Sequence, residues 1–145
     1  MAKGASISGF PEWLPSERVV EQRVIDTLRK VFELNGFIGI ETRAVETGAS
    51  LLKKGETSKE IYLLSRLQEV GHESDTPIEE RLGLHFDLTV PLSRYVVEHS
   101  GALAFPFKRW QIQKVWRGER PQEGRFREFV QADIDVIGAG DLPDH

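Results

Sequence analysis

Between residues 117 and 135 the chain brings together Arg117, Glu119, Arg125 and Arg127, then Gln131, Asp133 and Asp135. An arginine is a planar, permanently charged fork of donors that matches the oxygens of a phosphate or a carboxylate. Held around one turn, Arg117, Arg125 and Arg127 make a natural clamp for a triphosphate. Gln131 and Asp135, four apart, fall on one side of a strand and about 13 Å apart along it, a width suited to one small amphoteric ligand. The same residues admit a plainer reading, as a solvated arginine-rich loop followed by the wet face of a sheet.

The elements that would position these groups are legible around them. Residues 126–137 alternate, with Val130, Ala132, Ile134 and Val136 on one face and Gln131, Asp133 and Asp135 on the other. Residues 109–117 carry a matching pattern, and the Gly and Pro of 118–124 suit a long turn, so an antiparallel hairpin is expected. Val20, Val24, Leu28, Val31 and Phe32 recur at helical spacing over 17–34, and Asn35-Gly36 supplies a stop. A second helix is expected from Thr89 as N-cap to about Glu98, with Pro91 in its first turn and Ser100-Gly101 ending it. Shorter strands are expected at 37–45, 61–64 and 82–86, and the acidic stretch 71–80 reads as a solvated loop. No repeat is visible. Helices mixed with hairpin-joined strands predict an α+β fold, an antiparallel sheet flanked by helices, and not a doubly wound one.

At 145 residues the chain has the size of one domain, residues 1–145. It has no cysteine, which removes disulfides and thiolate chemistry, and its four histidines show no metal-ligand spacing, so no metal site is expected. Its apolar runs fall far short of the roughly 20 residues of a membrane span, and residues 1–15 do not read as a signal peptide, so a cytoplasmic location is expected. The net charge of −4 argues against a surface that grips nucleic acid everywhere. The basic residues cluster instead from Lys108 to Arg127, a local positive site on an acidic body.

Trp116-Arg-Gly-Glu-Arg-Pro-Gln-Glu-Gly-Arg-Phe-Arg-Glu-Phe-Val-Gln131, continuing to Gly138, resembles motif 2 of class II aminoacyl-tRNA synthetases in the wording used by histidyl-tRNA synthetases. Phe86-Asp-Leu-Thr-Val-Pro-Leu-Ser-Arg-Tyr95 is similar to a further segment of that family, and residues 9–18 and 36–46 resemble its lead-in and its motif 1 region. The resemblance implies a two-step reaction, activation of histidine with ATP and Mg²⁺ followed by transfer to tRNA(His), in a homodimeric enzyme. It implies that Arg117, as the catalytic arginine, meets the α-phosphate, Glu119 the adenine amino group and Arg125 the terminal phosphates, while Phe126 stacks on adenine. Asp87, Thr89 and Gln131 would hold the histidine α-ammonium, Asp135 the imidazole, and Gln122 and Arg127 would meet the tRNA acceptor end.

Two departures accompany the likeness. The proline usual in motif 1 is missing near Arg43. Motif 3, a further catalytic arginine and the anticodon-binding domain are expected beyond His145, so the catalytic domain is expected to be incomplete and these residues alone inactive. A competing reading is the histidine-binding regulatory subunit of ATP phosphoribosyltransferase, a silent paralogue. The intact set Arg117, Glu119, Gln122, Arg125 and Arg127 favours the synthetase, because a regulatory subunit needs neither an ATP clamp nor an acceptor-stem loop. A third possibility is a non-catalytic nucleotide-binding domain.

Overall fold

The computed structural model describes residues 6–53, 59–69 and 75–138. In chain order the elements are α1 (Pro15–Leu34), β1 (Ile38–Gly39), β2 (Val45–Thr47), α2 (Gly48–Leu52), β3 (Leu82–Leu84), α3 (Thr89–His99), β4 (Phe107–Trp116) and β5 (Glu128–Ile137). The α+β class stands, and β4 and β5 form the expected antiparallel hairpin, in register from Phe107↔Ile137 to Trp116↔Glu128. The sheet is mixed, not purely antiparallel: β1 joins β4 in parallel, giving the order β1-β4-β5, and β2 with β3 makes a separate antiparallel ribbon.

The strand expected over 37–45 is thus split into β1 and β2. A Cβ at Gly39 would lie 2.5 Å from the Trp110 ring, so the small residue is what admits the close approach of β1 to β4. At 61–64 only Leu63 forms a bridge, to Gly83. Part of the loop expected at 71–80 lies outside the described residues; its end forms a 3₁₀ turn, Ile78–Glu80.

Helix α1 starts at Pro15, two residues before the sequence-based boundary, because proline suits the first helical position and the Glu17 carboxylate accepts the Leu14 N–H at 2.9 Å. Its apolar stripe divides. Ile25, Leu28 and Phe32 are half-buried, while Val20, Val24 and Val31 remain 58%, 54% and 49% exposed. Helix α3 corrects another boundary: Thr89 is its first residue, not its cap, and Asp87 Oδ1 accepts the Val90 N–H at 3.2 Å.

The interior is unusually polar. Leu51, Phe86, Leu88, Leu92, Phe107 and Val115 are buried together with Thr42, Glu46, His85, Asp87, Arg109 and Gln111. Buried charge is tolerable only when paired. Each Glu46 carboxylate oxygen accepts from Arg94 Nε, at 2.8 and 3.0 Å, Oε2 also from Arg43 Nη2 at 3.5 Å, and Arg94 Nη1 reaches Glu98 at 2.6 Å. That cluster fastens β2 to α3.

Candidate active site on the β4–β5 hairpin

Side chains on a strand alternate between faces, and the register puts Arg109, Gln111 and Gln113 of β4 opposite Asp135, Asp133 and Gln131 of β5. All six share one face with Phe107 and Val115, which are buried. The polar face is therefore the inner one. Ile134 and Val136, on the other face of β5, are 47% and 45% exposed.

At the turn end of the hairpin Arg117 donates Nε to Phe86 O at 3.0 Å and Nη2 to Gln131 Oε1 at 3.2 Å, and its guanidinium lies 5.0 Å from the centre of the Phe129 ring. Gln131 in turn donates Nε2 to Asp133 Oδ2 at 2.9 Å. Arg109 lies under the far end, paired with Asp135. A continuous run of polar contacts thus follows the inner face from Arg117 towards Asp135. Burial lowers the pKa of Arg109, opposed by the charges of Asp135 and Asp133.

Arg117, Glu119, Gly124, Arg125, Phe126 and Phe129 line a small cavity of about 150 Å³. Across it the Arg125 guanidinium pairs with Glu119 Oε2 at 2.8 Å. Phe126 stands edge-on to Trp13, ring centres 5.8 Å apart, which fixes one edge of the cavity. Arg127 is turned toward the base of the loop: its Nε donates to Glu119 O at 2.9 Å and its backbone N–H to Gly9 O at 2.7 Å. Gln122 is exposed at the tip, where it exchanges backbone bonds with Arg125 and Gly124 takes φ 73°, a conformation open to glycine.

The residues singled out from sequence therefore fall into groups. Arg117, Glu119, Arg125 and Phe126 share the cavity, and Gln131 is bonded to Arg117. Asp87 is buried in the segment whose neighbouring carbonyl, that of Phe86, holds Arg117. Asp135 lies at the far end of the inner face. Thr89 lines a different cavity, with Ser50, Lys53 and Ser93, and Gln122 and Arg127 lie outside the one at Arg117. Sequence reading passed over Phe129 and Arg109. Phe129 has the same odd-numbered parity as Gln131, a signal that was available; the partner of Arg109 depends on register and was not.

Two groups beside the site have displaced pKa values. Burial holds His85 below its ordinary value against the raising influence of its contact with the Lys114 carbonyl, 2.7 Å from Nε2. Glu128 sits below the usual carboxylate value: burial raises it, but hydrogen bonds from Lys114 and Trp116 outweigh that.

An arginine-bearing antiparallel hairpin on a mixed sheet, met near its turn by the segment leading into a helix, is part of the class II aminoacyl-tRNA synthetase fold. No protein-family model matches the chain. It is 92% identical over 145 residues to a histidine--tRNA ligase of Bifidobacterium animalis subsp. lactis (strain AD011), covering 100% of the chain and 31% of the relative. A second histidine--tRNA ligase, from Micrococcus luteus, is 65% identical over 98% of the chain and 32% of its own length. The crystal structure of histidyl-tRNA synthetase from Nostoc sp. PCC 7120 superposes with a TM-score of 0.79 at 44% identity, over 97% of this chain and 30% of that one. The chain is thus similar throughout its length to histidine--tRNA ligases and spans about a third of the length of the curated relatives it matches.

Proposed function

We propose that this chain supplies the N-terminal portion, residues 1–145 with the motif 1 region and motif 2, of a catalytic domain that activates histidine with ATP and passes it to tRNA(His). The observation that carries the reading is the position of Arg117, fixed between Phe86 O and Gln131 at the mouth of the polar inner face. A carboxylate is already ionised at neutral pH, so the first step needs no general base. A histidine carboxylate oxygen bonds to the α-phosphorus, the bond to the bridging oxygen breaks, and pyrophosphate leaves with its electron pair. A preoriented guanidinium stabilises the charge that develops there. In the second step a terminal ribose hydroxyl of the tRNA attacks the acyl carbon and AMP departs.

In this reading Glu119 recognises the adenine amino group and Arg125 the terminal phosphates, and on ATP binding Arg125 exchanges its Glu119 contact for phosphate. Phe126 and Phe129 both line the cavity, and Phe129, lying under Arg117, offers a second ring for the base. Asp87, Thr89 and Gln131 hold the α-ammonium, and Asp135 accepts the imidazole N–H. Gln122 and Arg127 are assigned to the acceptor end. The described residues contain no group of three His, Cys, Asp or Glu side chains able to hold a metal, so Mg²⁺ enters here with the nucleotide, sharing the pyrophosphate charge. No described helix is long and apolar enough to cross a membrane, and a cytoplasmic site of action suits the substrates. The exposed Val20, Val24 and Val31 of α1 leave apolar surface for more protein to cover, a second copy in a homodimer included.

The test is histidine-dependent ATP–pyrophosphate exchange, then tRNA(His) charging, by a protein of the relatives' full length containing this sequence. Exchange with no other amino acid, followed by charging, is the expected result. Histidine binding with neither reaction would point to the regulatory reading.

A further inference from the structure

We infer that Arg109 is a positioning residue for histidine selection: buried beneath β5, it fixes the Asp135 carboxylate at the angle from which that group meets the imidazole. The inference rests on the proposed role of Asp135. Arg109 is the largest fully buried side chain, at 0% exposure, and it occupies a face where an apolar residue would avoid the cost of desolvating a guanidinium. Its ion partner is Asp135, directly opposite in the ladder and still 42% exposed. Among the described residues Asp135 Oδ2 is engaged by Arg109, while Oδ1 has no protein partner, so one oxygen is held and the other is left to accept from a ligand. The neighbouring carboxylate is committed differently, since Asp133 Oδ2 accepts from Gln131.

The guanidinium is itself oriented from below. Gln111 Nε2 donates to Thr42 Oγ1 at 2.9 Å and to Gln113 Oε1 at 2.7 Å, which uses both its protons. The Gln111 amide cannot flip without losing both bonds, so its oxygen faces Arg109 Nη1 at 3.3 Å. Gln113 Nε2 is tied to Thr42 O at 2.7 Å, anchoring the chain of contacts in the backbone that follows β1. The angle of Asp135 is thus set by a row running from Thr42 through Gln111 and Arg109. This row lies far from the phosphates: eight positions along β4 separate Arg109 from Arg117, about 26 Å by strand rise.

The experiment uses the full-length protein, with steady-state pyrophosphate exchange read separately for histidine and ATP. Arg109→Met keeps the length and removes the charge and the fork. It should raise the histidine KM at least about tenfold, the scale of loosening one charge-assisted hydrogen bond, and leave the ATP KM within about twofold. Arg109→Lys, which restores charge without the fork, should recover part of that loss. In an Asp135→Asn background, Arg109→Met should add little, because the group it positions is already altered. An unchanged histidine KM, an equal rise for both substrates, or full additivity with Asp135→Asn overturns the inference. Should Arg109→Met fail to fold, Arg109→Lys decides alone: a raised histidine KM at constant ATP KM supports the role, and no change removes it. Absence of histidine-dependent exchange in the unmodified protein would instead overturn the functional reading beneath it.

Discussion

Arg117 and Gln131 are joined side chain to side chain, Nη2 to Oε1 at 3.2 Å, across the turn end of the hairpin. The same guanidinium is held by Phe86 O, so two elements set its direction before any ligand arrives. A donor fixed in advance stabilises a transition state without reorganising.

Arg117→Ala in the full-length protein should therefore lower kcat/KM for histidine-dependent pyrophosphate exchange at least about a hundredfold, the usual cost of losing one preoriented donor. Asp135→Ala should act mainly through the histidine KM and through discrimination against amino acids lacking the imidazole. Exchange kinetics with both substrates varied would refute this division if the two variants lost activity identically at unchanged histidine KM.

Gln122, at the exposed tip, should matter to tRNA and not to adenylate formation. Gln122→Ala is expected to leave exchange nearly intact and slow tRNA charging, by an amount corresponding to about 1–3 kcal/mol for a lost bidentate contact. Arg127→Ala should impair both steps, because its Nε bond to the Glu119 carbonyl also shapes the cavity, and it should weaken the salt dependence of tRNA binding. Both assays run on one preparation decide the matter; equal losses for Gln122→Ala would contradict the assignment.

His85 gives a pH signature. It is wholly buried, its Nε2 faces the Lys114 carbonyl, and its Nδ1 has no hydrogen-bond partner among the described residues, which fits a neutral ring protonated at Nε2. Its folded pKa lies below 6.5. Between the two values the unfolded chain binds a proton that the folded chain refuses, so the stabilisation is complete above 6.5 and declines as pH falls through that window. Melting temperatures between about pH 7.5 and about pH 5.5 should drop toward acid in the parent protein and more shallowly in His85→Gln. Parallel profiles would show that His85 does not carry the effect.

Glu46 should be a stability residue. Its side chain is fully buried and paired with Arg94, itself only 15% exposed. Glu46→Ala leaves that guanidinium with Glu98 alone and should cost about 2 kcal/mol or more in denaturant unfolding, toward the roughly 3 kcal/mol of a fully broken buried pair. Adding Arg94→Leu should recover part of the loss. A single-variant effect under about 1 kcal/mol, the level of an exposed pair, would be incompatible with this account.

Much of this was legible in the sequence because β5 alternates cleanly and one turn carries the arginines. The hairpin, α1 and the nearness of Arg117 to Arg125 follow from those patterns, whereas Glu119 and Phe126 came from the resemblance, and Arg127, counted into the clamp, lies outside the cavity. The ladder offset was not legible. Trp116 pairs with Glu128 but Gln122 with Arg125, so residues 117–121 on one arm face only 126–127 on the other. Counting back from the turn would mispair the strands, and Arg109 could not be matched to Asp135. Helix periodicity also promised too much: Val20, Val24 and Val31 keep the spacing of a core stripe, yet the described residues do not cover them. Thr89 looked like a cap because threonine often is one, but the carboxylate two residues earlier took that bond.

The alternation of β5 has a bearing on which lengths of chain this family can tolerate. The inner row Gln131, Asp133, Asp135 and the outer row Ala132, Ile134, Val136 differ only in parity. Inserting or deleting a single residue near the start of β5 would exchange them, turning both aspartates outward and valine and isoleucine onto the polar inner face at once. The uneven arms at 117–121 and 126–127 pair loosely and can absorb a change in length without altering that parity. Natural variation in length should therefore gather in the turn, with the strand beyond Glu128 varying by substitution alone.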